Sequence, residues 1–238
     1  MTDYTVYAMQ RSGLNAICAW IYQHSIGSGS RYLYINRTDI RWSMSKSRCF
    51  SGARHGDYCV RDVQNPTLPL DFWNAEDSAK PWKSSNVTTQ FNVVVLRNPF
   101  NMLASRIRSG FINETYTEFR AKTIGLLQDT HIPNKTVVVF DNWFADSDYR
   151  ADLGIRLLLT AGCRSPYTLI ASRPGSSFDA KRYLHDADKM DVLGRWRATV
   201  RRPQIKSLVN DEEVLNLYSK YMDLGQTVDE VRGALGCF

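Results

Sequence analysis

Residues 91–108 read FNVVVLRNPFNMLASRIR. From Phe91 to Leu96 the run is apolar and rich in valine without alternation. That pattern predicts a strand buried on both faces, as in the centre of a parallel sheet. Arg97 and Asn98 interrupt it. Pro99 then stands where proline opens a helix, because the N–H it lacks is one the first turn leaves unbonded anyway. Met102, Leu103 and Ile107 give that helix an apolar face.

The same strand-to-helix pattern recurs outward from this segment. Tyr4 to Met9 reads as a strand, Gln10 to Gly13 as a turn, and Leu14 to His24 as a helix carrying Leu14, Ile17, Cys18, Trp20 and Ile21. Arg31 to Asn36 is expected to be a second strand, and Lys135 to Phe140 another buried one. Tyr149 to Ala161 is expected to be a helix stopped by Gly162. Further helices are expected over Thr117 to Gln128, Asp211 to Leu224 and Val228 to Leu235. Thr38 to Lys83 has no sustained period, and irregular stretches of that length inside a domain are usually functional. The alternation of strands and helices predicts one α/β domain over residues 1–238, with three layers, α/β/α, around a central parallel sheet.

Composition narrows the function classes. The chain has 238 residues, enough for one sizeable α/β domain. Hydrophobic residues make up 43% and charged residues 23%, which excludes a disordered or collagen-like chain. Mean hydropathy is −0.35, and no apolar run approaches the roughly 20 residues of a membrane helix. The N-terminal MTDYTVYAMQ has no basic leader region, so a cytoplasmic location is expected. Lysine and arginine outnumber aspartate and glutamate 30 to 24, a net charge of +6, which suits an anionic ligand. The five cysteines, Cys18, Cys49, Cys59, Cys163 and Cys237, include no Cys-x-x-Cys pair, so neither a zinc site nor a disulfide framework is expected. Cys18 and Cys163 fall in apolar contexts and read as core.

Two segments carry candidate chemistry. In Gln10-Arg11-Ser12-Gly13-Leu14-Asn15-Ala16 a glycine-bearing turn leads from strand to helix, where backbone N–H groups and the positive end of the helix dipole favour an anion. Arg11 adds a charge, and Asn15 is placed to cap the first turn or reach a ligand. The lysine and spacing of a Walker A loop are absent. In the second segment, Arg97 ends the buried strand and Ser105 follows eight residues later. Together they suit one phosphate, by a charged contact and a hydroxyl. An ordinary turn, a surface arginine and a helix serine remain the bland alternatives.

Arg11-Ser-Gly after the first strand, with Leu96-Arg-Asn-Pro and Ser105 after a later one, resembles the sulfotransferases that use 3′-phosphoadenosine 5′-phosphosulfate. Val137 to Leu159 is similar to a strand and helix of bacterial and viral members. Ser172-Arg-Pro-Gly-Ser-Ser-Phe resembles the late loop that closes on the nucleotide. The resemblance implies a P-loop NTPase-like fold and a metal-free sulfuryl transfer. It assigns Arg11, Ser12, Gly13, Leu14, Asn15 and Ala16 to the 5′-phosphosulfate. Arg97 and Ser105 go to the 3′-phosphate, and Arg173, Gly175 and Ser176 to the closing loop. The product would be 3′-phosphoadenosine 5′-phosphate. Cytosolic members carry lysine where this chain has Arg11.

The family's base is a glutamate or histidine. Glu76, beside Phe72 and Trp73, is the first candidate and His55 the second, with Asp57 and Asp77 also open. Arg195, Arg197, Arg201, Arg202 and Lys206 form a basic run. Together with Trp42, Trp73, Trp82 and Trp196 they suggest a small-molecule or glycan acceptor, set against a solvated basic face with core tryptophans. Two other readings stay open. One is a nucleotide-dependent kinase, with Asp141 as the one candidate magnesium ligand after a strand. The other is a nucleic-acid or anionic-polymer binding module using the basic run, which leaves Arg97 and Ser105 unexplained. No sequence-specific nucleic-acid partner is expected.

Overall fold

Continuous valine in the middle of a chain demands cover on both faces, and in the structure it has it. The structure is a computed structural model that describes residues 2–9, 11–25, 48–50, 58–60, 72–74, 89–108, 115–128, 132, 134–159, 163–164 and 191–236. Strand β5, Thr89–Leu96, buries Val93, Val94, Val95 and Leu96 at 2% exposure or less. It lies between β1, Thr2–Ala8, and β6, Lys135–Val139. Both neighbours are parallel to it, with Ala8 beside Val95 and Val139 beside Leu96. A short strand β4, Phe72–Asn74, pairs in parallel with the other edge of β1, so the order across the sheet is β4-β1-β5-β6. The class is α/β with a parallel sheet, as expected. Strands β2, Arg48–Phe50, and β3, Tyr58–Val60, form a separate antiparallel pair. These three short strands fall in the stretch read as irregular. The strand expected at Arg31 to Asn36 lies outside the described residues.

The described residues fall into two compact units. The first holds the sheet, helix α1 over Leu14–Ser25, and the segment from 130 to 173. The second runs from Arg97 to Asp129 and from Pro174 to the C-terminus.

In the first unit the chain departs from expectation after β6. The strand stops at Val139, and Phe140 opens helix α4, Phe140–Ala145. The reason is tertiary. Phe140 stacks on Trp143 at 5.7 Å, and Trp143 meets Trp20 of α1 edge-on at 6.0 Å. Burying those rings outweighs the local β preference of the sequence. Helix α5, Ser147–Arg156, starts under an Asp146 cap that accepts from the Asp148 and Tyr149 amides. It ends five residues short of Ala161. Leu158 takes the left-handed conformation at φ +54, the role expected of Gly162. The carbonyl of Leu157 accepts the Tyr4 hydroxyl of β1 at 2.6 Å, so a tertiary partner stands in for the helix. Arg150 is buried, and its guanidinium donates to the carbonyls of Trp143, Phe144 and Arg164. Cys163 is core, as expected, and burial pushes its thiol pKa up.

The second unit is helical among the described residues. Helix α2, Pro99–Arg108, is buried from Pro99 to Ile107, polar residues included, so it has no solvent face along that span. Asn98 caps it, its Oδ1 accepting the Phe100 amide at 3.0 Å. Helix α3, Tyr116–Gln128, begins one residue before expectation. A 3₁₀ turn over Arg195–Thr199 and helix α6, Pro203–Val209, occupy the region read only as a basic run. Asp211 caps α7, Glu212–Ser219, and so stands outside the helix it was expected to begin. Helix α8 runs from Gly225 to Leu235 and ends at a left-handed Gly236. No helix among the described residues is long and apolar enough to cross a membrane.

Candidate functional site

The order β4-β1-β5-β6 has a consequence for binding. The chain leaves β1 toward β4 on one side, and leaves β5 toward β6 on the other. Connections that diverge from two adjacent parallel strands open a crevice beyond their carboxyl ends, the place where open α/β sheets bind ligands. By that rule a ligand is expected beyond the carboxyl ends of β1 and β5, at Ala8 and Leu96. The loop from Met9 to Gly13 leaves one of those strand ends, and Arg97 is the residue after the other.

The loop after β1 is shaped by its backbone. Arg11 has φ +73 and Gly13 φ +94, so two left-handed residues flank Ser12. The Ser12 amide donates to the Met9 carbonyl at 3.2 Å, and the Gly13 carbonyl accepts the amides of Ala16 and Ile17 to start α1. A Cβ on Gly13 would run into the ring of Phe140. Glycine is thus required twice, for its dihedral and for the ring against it. Phe140, opening α4, is what packs the loop down.

Ser12 is fully buried, and its Oγ has no hydrogen-bond partner among the described residues. A buried hydroxyl left in that state costs roughly 1–3 kcal/mol, so it needs a partner from elsewhere. The first turn of α1 carries no acidic side chain to compete with an anion for its N–H groups. Arg11, Gly13, Leu14 and Ala16 are all partly exposed around it, while the side chain of Asn15 lies outside the described residues. The arrangement offers an anion a charged side chain, helix amides and a buried hydroxyl.

The second group is shaped by side chains. Arg97 is 2% exposed and donates through Nη2 to the Val192 carbonyl at 2.6 Å. Ser105 is 1% exposed, and its Oγ accepts from Nη1 of Arg195 at 3.4 Å. Asn101, between them on α2, donates to the Leu193 carbonyl and accepts the Trp196 amide. The two residues singled out in sequence therefore meet the same segment, Val192 to Trp196. Arg106, the neighbour of Ser105, is fully buried. Arg97, Arg106 and Arg195 are all held at 5% exposure or less, and Arg195 is the one that reaches Ser105. Burial of that much positive charge calls for anionic or carbonyl compensation.

Arg195 reads in sequence as one member of a basic run, and the structure separates it from the others. It is buried, while Arg197, Arg201, Arg202 and Lys206 are exposed. A usable signal existed in Asp191-Val-Leu-Gly194. The Asp191 carboxylate accepts the Gly194 amide at 2.7 Å, an Asx turn that swings the next residue inward. Trp196 is likewise buried, with the Arg197 guanidinium 5.2 Å from its ring centroid, so it is not an open platform for a sugar. Arg197 is also engaged by Glu230 at 3.1 Å.

His24, near the end of α1, is buried with its ring edge-on to Trp20. The candidate bases Glu76, His55, Asp57 and Asp77 lie outside the described residues, as do Arg173, Gly175, Ser176, Trp42 and Trp82. Trp73 is described only as part of β4. Among the described residues no group of three or more His, Cys, Asp or Glu side chains is gathered as metal ligands. Compared with known proteins, the chain matches no family model, no curated protein and no solved structure.

Proposed function

We propose that the protein is a sulfotransferase of P-loop-like, three-layer architecture. It would move a sulfuryl group from 3′-phosphoadenosine 5′-phosphosulfate to a hydroxyl of a carbohydrate or other small acceptor. The observation that carries this proposal is the loop after β1. It lies at a sheet switch point, holds a buried Ser12 hydroxyl without a partner among the described residues, and enters a helix with Arg11 at its mouth. The group around Ser105 adds a second place suited to a phosphate, with Arg195 on Ser105 and Arg97 on the same Val192 to Trp196 segment.

In this proposal the loop from Arg11 to Ala16 takes the 5′ end of the nucleotide, and Arg97, Ser105 and Arg195 take its 3′-phosphate. The bound nucleotide supplies the activated sulfuryl group. The protein has little covalent work to do. Arg11 and the amides of α1 neutralise charge developing on the leaving phosphate oxygen, and positioning does most of the rest. A base, Glu76 or His55, accepts the proton of the acceptor hydroxyl as its oxygen bonds to sulfur. A second reading, binding of an anionic polymer, is favoured only by the exposed Arg201, Arg202 and Lys206.

Ser105→Ala tests the assignment with little risk to the fold. It is expected to weaken binding of 3′-phosphoadenosine 5′-phosphate about 10-fold or more, the scale of one hydrogen bond to a charged group. Binding of adenosine 5′-phosphosulfate, which lacks the 3′-phosphate, should stay within about 2-fold, against a tenfold step of 1.4 kcal/mol. Equal losses for both nucleotides in isothermal titration would make Ser105 a structural residue.

A further inference from the structure

The separate antiparallel pair β2 and β3 places two cysteines opposite each other. In its register Cys49 faces Cys59, flanked by Phe50 opposite Tyr58 and Arg48 opposite Val60. Directly opposite residues in an antiparallel ladder have Cα atoms about 4.5 or 5.5 Å apart, depending on whether the pair exchanges hydrogen bonds. A disulfide spans Cα separations of roughly 4.4–6.8 Å, so either case falls within its reach. No other cysteine pair among the described residues shares a strand register. Cys18 belongs to α1, and Cys163 is buried in the core. Counting cysteines suggested no framework, but an odd total of five leaves room for one pair.

We propose that Cys49 and Cys59 are a thiol pair that closes to an intrachain disulfide under an oxidising glutathione buffer. The chemistry is two exchanges. One cysteine thiolate attacks a sulfur of glutathione disulfide, forming a mixed disulfide and expelling one glutathione thiolate. The second cysteine thiolate attacks the protein sulfur of that mixed disulfide and expels the other glutathione. The two cysteines are oxidised, losing two protons and two electrons, and one glutathione disulfide is reduced to two glutathiones. The strand register sets the second cysteine directly opposite the first, so the intramolecular step does not wait on a long loop closing.

Trypsin makes the test direct, because it cuts after Arg48, Arg54 and Arg61 and puts the two cysteines on separate peptides. The full-length protein is equilibrated with glutathione disulfide, blocked with iodoacetamide without reduction, and digested. The expected species is residues 49–54 joined to residues 55–61, lighter by two hydrogens than the sum of the two, and split by a reductant. In Cys49→Ser the joined species should vanish, leaving Cys59 as a glutathione adduct or an alkylated thiol. Recovery of both wild-type peptides alkylated or singly glutathionylated, or linkage of either to Cys18, Cys163 or Cys237, would overturn the pairing.

Discussion

The loop after β1 and the group around Ser105 are both suited to an anion, and they are built by opposite means. In the loop, backbone conformation does the work. Two left-handed residues and a ring packed on Gly13 fix where the amides of α1 and the Ser12 hydroxyl sit. Around Ser105, the backbone is an ordinary helix and the site is made of long side chains, Arg97 and Arg195, tied to the segment after Asp191. The difference teaches where each site is vulnerable. The loop should fail when its shape is disturbed, even if its charge remains. The Ser105 group should lose selectivity when a charge is removed, even if its shape survives.

The largest effect should come from Gly13→Ala. A methyl there lies on top of Phe140 and forces a side chain into a left-handed φ. The left-handed dihedral costs roughly 1–2 kcal/mol and overpacking typically 1–3 kcal/mol. Urea unfolding should therefore show a loss of about 2–5 kcal/mol. A loss below about 0.5 kcal/mol, the range of an innocuous surface change, would show that the loop is not shaped as described.

Arg195→Met should give an intermediate effect of a different kind. It keeps the stem and removes the guanidinium that reaches Ser105. Affinity for 3′-phosphoadenosine 5′-phosphate is expected to fall about 10- to 100-fold, the range of a charged hydrogen bond. Affinity for adenosine 5′-phosphosulfate should hardly change. A matching drop for both ligands in titration calorimetry would reduce the Ser105 group to a packing motif.

The smallest effect serves as a control in the second unit, at the Asp211 cap. The Asp211 carboxylate accepts from the Val214 amide, the Tyr116 hydroxyl and Arg120, with Glu213 also paired to Arg120. Burial alone would raise its pKa, but those hydrogen bonds and the arginine charge together hold it below the ordinary value of 3.8. Burial first, and then the Asp211 carboxylate, push the Tyr116 hydroxyl well above its usual range. Because the folded pKa of Asp211 is lowered, its stabilisation is fully present above the unfolded pKa and is lost as pH falls through the folded one. Asp211→Ala should cost about 1 kcal/mol at neutral pH, the usual worth of an N-cap. The gap from the parent should narrow in thermal melts below about pH 4, where an unshifted Asp begins to protonate. A gap that is constant down to pH 2, or any change in nucleotide affinity, would contradict this role.

What the sequence disclosed follows from what decides each element. The continuous valines of Phe91 to Leu96 specify a buried strand locally, and the strand is there. The Arg11-Ser-Gly turn was legible because glycine between a strand and a helix has few other uses. The end of β6 was not legible, since Phe140 is as compatible with a strand as with a helix. Only its contacts with Gly13 and Trp143 decide the matter. The early end of α5 depends on Tyr4, 153 positions away in sequence, capturing the Leu157 carbonyl. Arg195 looked like its exposed neighbours because charge patterning alone does not report burial. Its place beside Ser105 depends on Asn101 holding the segment before it.

The most direct test of the central claim is a melting curve of the whole protein with 3′-phosphoadenosine 5′-phosphate in chelator, and with ATP both in chelator and in magnesium. The account predicts that the bisphosphorylated nucleotide stabilises without any metal. At about 100 times its Kd the gain is about 2.7 kcal/mol, or roughly 5–11 °C for a chain of this size. ATP under the same conditions should shift the curve by less. No shift with millimolar 3′-phosphoadenosine 5′-phosphate, together with a clear shift from ATP that requires magnesium, would contradict the account and favour a kinase.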